Sequence, residues 1–276
     1  MHYIRSRGRA QSGWRGGRLA AHAMEPHARR LWCVPAAHHR ADRPTSYRGW
    51  VRYIQPDRAR AAMVASYQAV TDDAGKLDDD ELARPSGCRG WSRGDLLFHM
   101  LLDAQRALVT FATPASGEAD VDFASYWAPF RPGAEGYAAH ARFVRRVASS
   151  YRSDLVIAGL WADTATAAAH AAATLPAEAK VATQGHVLFA GDFMATLAVE
   201  ATVHHLDLSA GDESLAGPSG PGLAVARETL DGVLGKPVPV GWDDVGYVLK
   251  ATGRAELTDG DRGSLGVLAA RFPLLG

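Results

Sequence analysis

Residues 191–208 read GDFMATLAVEATVHHLDL, and this stretch decides the fold. Phe193, Met194, Leu197, Val199, Ala201, Val203 and Leu206 recur at helical spacing, which predicts a helix from Phe193 to about Leu206 opened by Gly191-Asp192. The helix is apolar on several sides, so it is read as buried. Glu200 and His204 nevertheless sit inside it, four residues apart and therefore on one face. Alone, such a pair is commonly an ordinary i, i+4 hydrogen bond. In a buried helix the reading changes, because buried charges are paired or bound to metal.

A second stretch has the same character. Residues 92–111 read SRGDLLFHMLLDAQRALVTF. Ser92 is a good N-cap, with Asp95 at the third helical position, and the helix is expected over Arg93–Phe111, ending before Pro114. His99 lies between Phe98 and Met100. Ligands offered by facing helices are a known way to build a metal site in a bundle. His99, Glu200 and His204 would supply two imidazoles and one carboxylate, leaving coordination positions open for water or substrate. Asp103, one turn after His99, and Asp207, three after His204, are candidates to orient those ligands. Arg106, on the His99 helix, is a candidate anion contact for a cofactor. His205 points about 100° away from His204 and is read as a surface or secondary contact. His140 and His170 read as solvent-face histidines. His186 is a weaker pocket candidate, Trp91 a packing staple at the helix start, and Cys88 a small loop residue.

Further helices are expected over Arg58–Thr71, Ala134–Tyr151 and Asp154–Leu175, with a short extended stretch over 180–190. DESLAGPSGPG at 212–222 reads as a linker. After it come a helix over about Leu223–Leu234, a segment around Tyr247–Lys250 and a last apolar run. The fold class is therefore mainly α: a four-helix bundle over 56–210 and a small C-terminal α(+β) lobe over 211–276.

Composition narrows the function. The chain has 276 residues, 47 % of them apolar, enough to bury a sizeable core. No run of eighteen apolar residues appears, so no membrane span is expected. Acidic and basic residues number 30 each, but residues 1–60 hold 13 Arg against three acids, leaving the body with a net charge of −10. An acidic body argues against specific nucleic acid as a partner. Cys33 and Cys88 are the two cysteines and form no C-x-x-C, which disfavours a disulfide framework and points to the reduced cytoplasm. Arg outnumbers Lys 26 to 4, as in a GC-rich bacterial genome. The basic segment 1–55 has three readings: a disordered arm, a targeting peptide, or a translation start placed too early, with Met63 as an alternative start.

The runs CRGWSRGDLLFHML (88–101), AVEATVHHLDL (198–208) and ATGRAELTDGDRGSLGVLAARFPLLG (251–276) resemble the actinobacterial mycothiol-dependent maleylpyruvate isomerase-like family, within the DinB-like metal-binding bundles. The resemblance covers about 56–276. It implies a DinB-like four-helix bundle with a divalent metal, usually zinc, and maps the ligands onto His99, Glu200 and His204. It also implies a low-molecular-weight thiol that binds near the metal, becomes a thiolate, adds to an activated double bond and leaves after cis–trans rotation. Many relatives carry Arg three residues before the glutamate; here that position is Leu197. Three functions stay open. The first is a metal-dependent isomerase or thiol S-transferase acting on a small electrophilic substrate. The second is a metal-binding DinB-like protein without thiol chemistry, such as a hydrolase or stress-response module. The third is a purely structural bundle. Either a monomer or a homodimer fits.

Overall fold

A computed structural model describes residues 54–130, 137–176 and 178–276. The three readings of the basic segment fall on residues that lie, but for the last two, outside this range. Four long helices form the bundle: α1 (Pro56–Ala74), α3 (Arg93–Phe111), α5 (Asp154–Thr174) and α6 (Ala190–Leu208). α1 packs against α6 and α5, and α3 against α5 and α6, so the ring of neighbours closes around one core. That core holds Met63, Leu97, Leu101, Ile157, Trp161, Phe193 and Met194, all fully buried. A one-turn helix, α2 (Asp79–Leu82), joins α1 to α3, and α4 (Tyr137–Ala148) lies against α3.

The helix ends follow local chemistry. Ser92 accepts from the Asp95 backbone N–H while Asp95 accepts from that of Ser92, a complete capping box that starts α3 where the sequence places it. The expected extended stretch is a two-stranded antiparallel hairpin, β1 (Lys180–Thr183) and β2 (His186–Phe189), with Val181 opposite Leu188. Gln184 and Gly185, both at positive φ, form its turn.

The C-terminal lobe is helical among the described residues: α7 (Gly220–Leu234), α8 (Asp244–Ala251), α9 (Asp259–Leu265) and a last 3-10 turn. α7 packs on α6 and α1. Gly222 makes this approach possible, since a Cβ there would lie 2.2 Å from Ser66 Oγ and 2.4 Å from Thr202 Oγ1.

One buried polar knot ties the segment before α7 to α1. Asp73, fully buried, accepts from His205 Nε2 (2.9 Å), Lys76 Nζ (2.7 Å) and the backbone N–H groups of Ala216 and Gly217. His205 is itself 1 % exposed, which corrects its reading as a surface contact: α1 stands opposite it and supplies a carboxylate. Burial alone would raise the Asp73 carboxyl, but Lys76, the two N–H donors and His205 outweigh it and hold the group at about 2. This folded-state value lies below the unfolded one. The stabilisation, roughly 2 kcal/mol, is therefore present above pH 4 and lost as pH falls toward 2. We expect Asp73→Asn to lower stability at pH 7 by about 3 kcal/mol, because its amide N–H atoms would face donors. Urea unfolding of both proteins at pH 7, 4 and 3 should show the gap narrowing with acid.

Candidate metal centre

His99 on α3 and the Glu200–His204 pair on α6 face each other across the bundle. His99 Nε2 lies 3.2 Å from His204 Nε2 and 3.3 Å from Glu200 Oε1, and His204 Nε2 lies 3.6 Å from the same oxygen. A tetrahedral ion with bonds of about 2.1 Å has ligand–ligand edges of about 3.4 Å. The three atoms thus form one face of such a polyhedron, and the donor set fits a divalent cation. Both ring nitrogens lie close to the same carboxylate oxygen, so one ion could take all three donors.

Each imidazole is fixed from behind. His204 Nδ1 is 3.0 Å from Asp207 Oδ2, which turns Nε2 toward Glu200. Asp207, 2 % exposed, is in turn gripped by Arg254, from the turn after α8: Nε donates to Oδ1 at 2.7 Å and Nη2 to Oδ2 at 2.6 Å. His99 Nδ1 faces His140 Nε2 at 3.2 Å. Burial, with the neighbouring His99, pushes His140 down to about 4, so near neutral pH its ring is uncharged and can accept the His99 proton. Trp91, just before the cap of α3, lies against His99 with ring centroids 5.3 Å apart.

Without an ion, charge pairing within the cluster sets its titration, and a cation bound there would displace the His204 proton. Burial by itself would raise the Glu200 carboxyl, but hydrogen bonds and charge from His204 and His99 hold it well below the usual carboxylate range. His204 is raised well above its ordinary value despite burial, through Cys88, Asp207 and Glu200. Asp207 is depressed by His204 and Arg254 against its own burial. Asp103 goes the other way, raised by desolvation and only partly offset by Arg106.

Asp103 Oδ1 is bonded by Arg106 Nη2 at 2.6 Å, while Oδ2, buried and without a hydrogen-bond partner, lies 3.8 Å from His99 Nε2. Asp103 and Glu200 line a cavity of about 10 Å³ with Tyr67, Met100, Leu197 and Ala201, room for about one water. Arg106 Nε is also buried without a partner.

Three residues enter the site that periodicity alone did not place there. His140 was read as solvent-facing; it is half-buried and touches His99, a correction that follows from α4 folding back onto α3. Cys88 lies 3.1 Å from Asp207 Oδ2, to which its S–H donates, and 3.7 Å from His204 Nδ1. Arg254 belongs to the quoted 251–276 run, where its role was not legible. His170 is exposed, as read, and His186 pairs with Asp120 at 3.0 Å beside the hairpin.

Fold and site together define a helical bundle with a two-histidine, one-carboxylate constellation in its interior. Residues 63–209 match the family model described as the mycothiol maleylpyruvate isomerase N-terminal domain, more than half of the chain, and the chain belongs to that family. Solved structures similar to it include that of the mycothiol-dependent maleylpyruvate isomerase and that of a histidine-to-alanine mutant of it. Each shows 16 % identity and a TM-score of 0.46, covering 67 % of this chain and 72 % of the other. No curated protein matches the chain. Among the described residues no helix is long and apolar enough to cross a membrane.

Proposed function

We propose that the protein is a divalent-metal-dependent enzyme that uses a low-molecular-weight thiol of the mycothiol type. It would act as an isomerase or thiol S-transferase on a small electrophilic substrate in the cytoplasm. The observation that carries this reading is the convergence of His99 Nε2, His204 Nε2 and Glu200 Oε1 within 3.2–3.6 Å, in a chain of this family. These three residues would hold the ion, and a donor set of two imidazoles and one carboxylate suits zinc. A divalent ion held by two neutral imidazoles and one carboxylate keeps a net positive charge, which lowers the pKa of a bound thiol.

The chain's own groups do the rest. His140 and Asp207 keep the two Nε2 atoms turned inward. Trp91 and Leu197 present apolar surface beside the triad and limit water. Asp103, held by Arg106, can take a proton at Oδ2. Arg106 is the cation on α3 available to a substrate or thiol carboxylate. In the isomerase branch a bound thiol would supply a nucleophile that adds reversibly across an activated double bond, so that the single bond of the adduct could rotate before elimination restored the alkene and the thiol. A thiol S-transferase would instead retain the new carbon–sulfur bond and expel a leaving group with the electron pair.

The second reading, a metal-binding protein without thiol chemistry, is favoured by Leu197 beside Glu200, which puts an apolar side chain where an arginine could bind the carboxylate of a thiol or substrate. The two readings separate in one assay. Purified protein loaded with zinc is given cis-configured unsaturated diacids and alkylating electrophiles, with and without thiol. Turnover that requires thiol and vanishes in His204→Ala supports the first reading. Equal turnover of a hydrolysable substrate without thiol selects the second.

A further inference from the structure

The loop ahead of α3 carries Cys88, the one cysteine among the described residues, to the outer side of the His204 ring. Gly87 N–H donates to the Asp207 carbonyl at 2.8 Å, and a Cβ on Gly87 would lie 2.7 Å from Asp207 Oδ1 and 2.9 Å from Asp207 Cα. A glycine is therefore what lets the loop close onto the end of α6. Trp91 N–H donates to the Cys88 carbonyl at 3.1 Å and Cys88 N–H to Ser86 Oγ at 3.2 Å, which holds the backbone on either side of the thiol. Cys88 Sγ stands 3.1 Å from Asp207 Oδ2 and 3.7 Å from His204 Nδ1, and those two atoms are 3.0 Å apart. Oδ2 also takes Arg254 Nη2 at 2.6 Å. Three donors thus crowd one oxygen that offers about two lone pairs.

We propose that Cys88 Sγ, His204 Nδ1 and Asp207 Oδ2 form a second cation site, back to back with the first across the His204 ring, for a soft, thiophilic metal ion. Bonds of about 2.3 Å to sulfur and about 2.0–2.1 Å to nitrogen or oxygen set ligand–ligand edges of about 3.4–3.6 Å, and the three distances come within about 0.5 Å of that. The sulfur sets the class of metal, because thiolate ligands select soft ions. Ligation releases the thiol proton and the Nδ1 proton to solvent and leaves a proton on Nε2, facing Glu200 Oε1 at 3.6 Å. One cation then replaces two of the three donors on Oδ2, while Arg254 keeps its contact. A neutral imidazole has a single lone pair, so His204 serves one site at a time. Zinc meets the Arg254 charge at the second site and has the face made by His99, Glu200 and His204 available instead. A soft ion gains most from Cys88 and draws His204 away from that face. This site involves no thiol cofactor and does not rest on the proposed reaction.

Cadmium titrated into the metal-free, full-length Cys33→Ser protein tests it, since Cys88 is then the only thiol in the chain. A thiolate-to-cadmium charge-transfer band in the near ultraviolet should grow and saturate at about one cadmium per chain. Adding Cys88→Ser should abolish the band and leave the helical circular dichroism unchanged. Adding His204→Ala should weaken cadmium binding roughly tenfold or more. Adding His99→Ala should keep the band, because His99 belongs to the first site alone. The absence of a band would overturn the proposal, as would a band that survives Cys88→Ser or is lost in His99→Ala. So would a cadmium affinity indifferent to His204→Ala. Zinc content of the same proteins is read separately, so failure of the first site and failure of this one are told apart.

Discussion

Replacing His99 or His204 by alanine is expected to cost the protein its metal. Wild type dialysed against zinc should retain about one ion per chain. Each variant should bind it more weakly than the roughly 10–100-fold loss that removing an outer partner causes. The reasoning is geometric: the three donors are 3.2, 3.3 and 3.6 Å apart, and removing any one leaves two, which do not define a face. Zinc should also stabilise the wild type. At a free concentration 1,000 times its Kd, binding contributes about 4 kcal/mol, or roughly 8–16 °C in Tm for a domain of this size. Neither variant should show that shift. Elemental analysis with a thermal-shift series measures both. Full metal content in His99→Ala, or a Tm indifferent to zinc in wild type, would remove the basis of the proposed function.

The parts of this site that the sequence displayed share a property. His99, Glu200 and His204 each stand out as a polar group inside an apolar helical stripe, and local pattern is enough to see that. The same holds for α3, whose start at Arg93 is written in Ser92 and Asp95. What pattern could not display are contacts set by tertiary closure. His140 looks solvent-facing on α4, a helix with strong amphipathic character and three arginines. Only the approach of α4 to α3, 41 residues earlier in the chain, turns the ring toward His99. His205 reads as surface because its neighbour His204 claims the inner face. The second inner face, toward α1 and Asp73, exists because α6 is covered on several sides at once. The hairpin over 180–189 reads as one extended stretch because a two-residue turn built on Gln184 and Gly185 leaves only a faint trace.

Arg254 is the residue whose substitution tests that tertiary closure most directly. Its guanidinium spans both oxygens of Asp207, and Asp207 holds His204 Nδ1, so the helical lobe reaches His204, the proposed metal ligand, through two side chains. The pair lies 47 residues apart in sequence, with the Asp207 carboxylate nearly out of water and the Arg254 side chain 20 % exposed. Arg254→Met leaves a buried carboxylate with Cys88 and His204 as its remaining side-chain partners, and should destabilise the fold by about 3–5 kcal/mol. Arg254→Lys should fall between, since one ammonium cannot match the two-pronged contact. Asp207→Asn removes the charge behind His204 while keeping the shape of the packing. It should lower zinc affinity about 10–100-fold, read by competition with a chelator. A positioning role predicts that metal affinity falls in Asp207→Asn and Arg254→Met alike, with Arg254→Lys partly rescuing it. If unfolding free energy drops in these variants while zinc affinity stays at the wild-type value, Arg254 and Asp207 are a structural clamp between lobe and bundle. His204 would then keep its orientation from the packing of α6 alone.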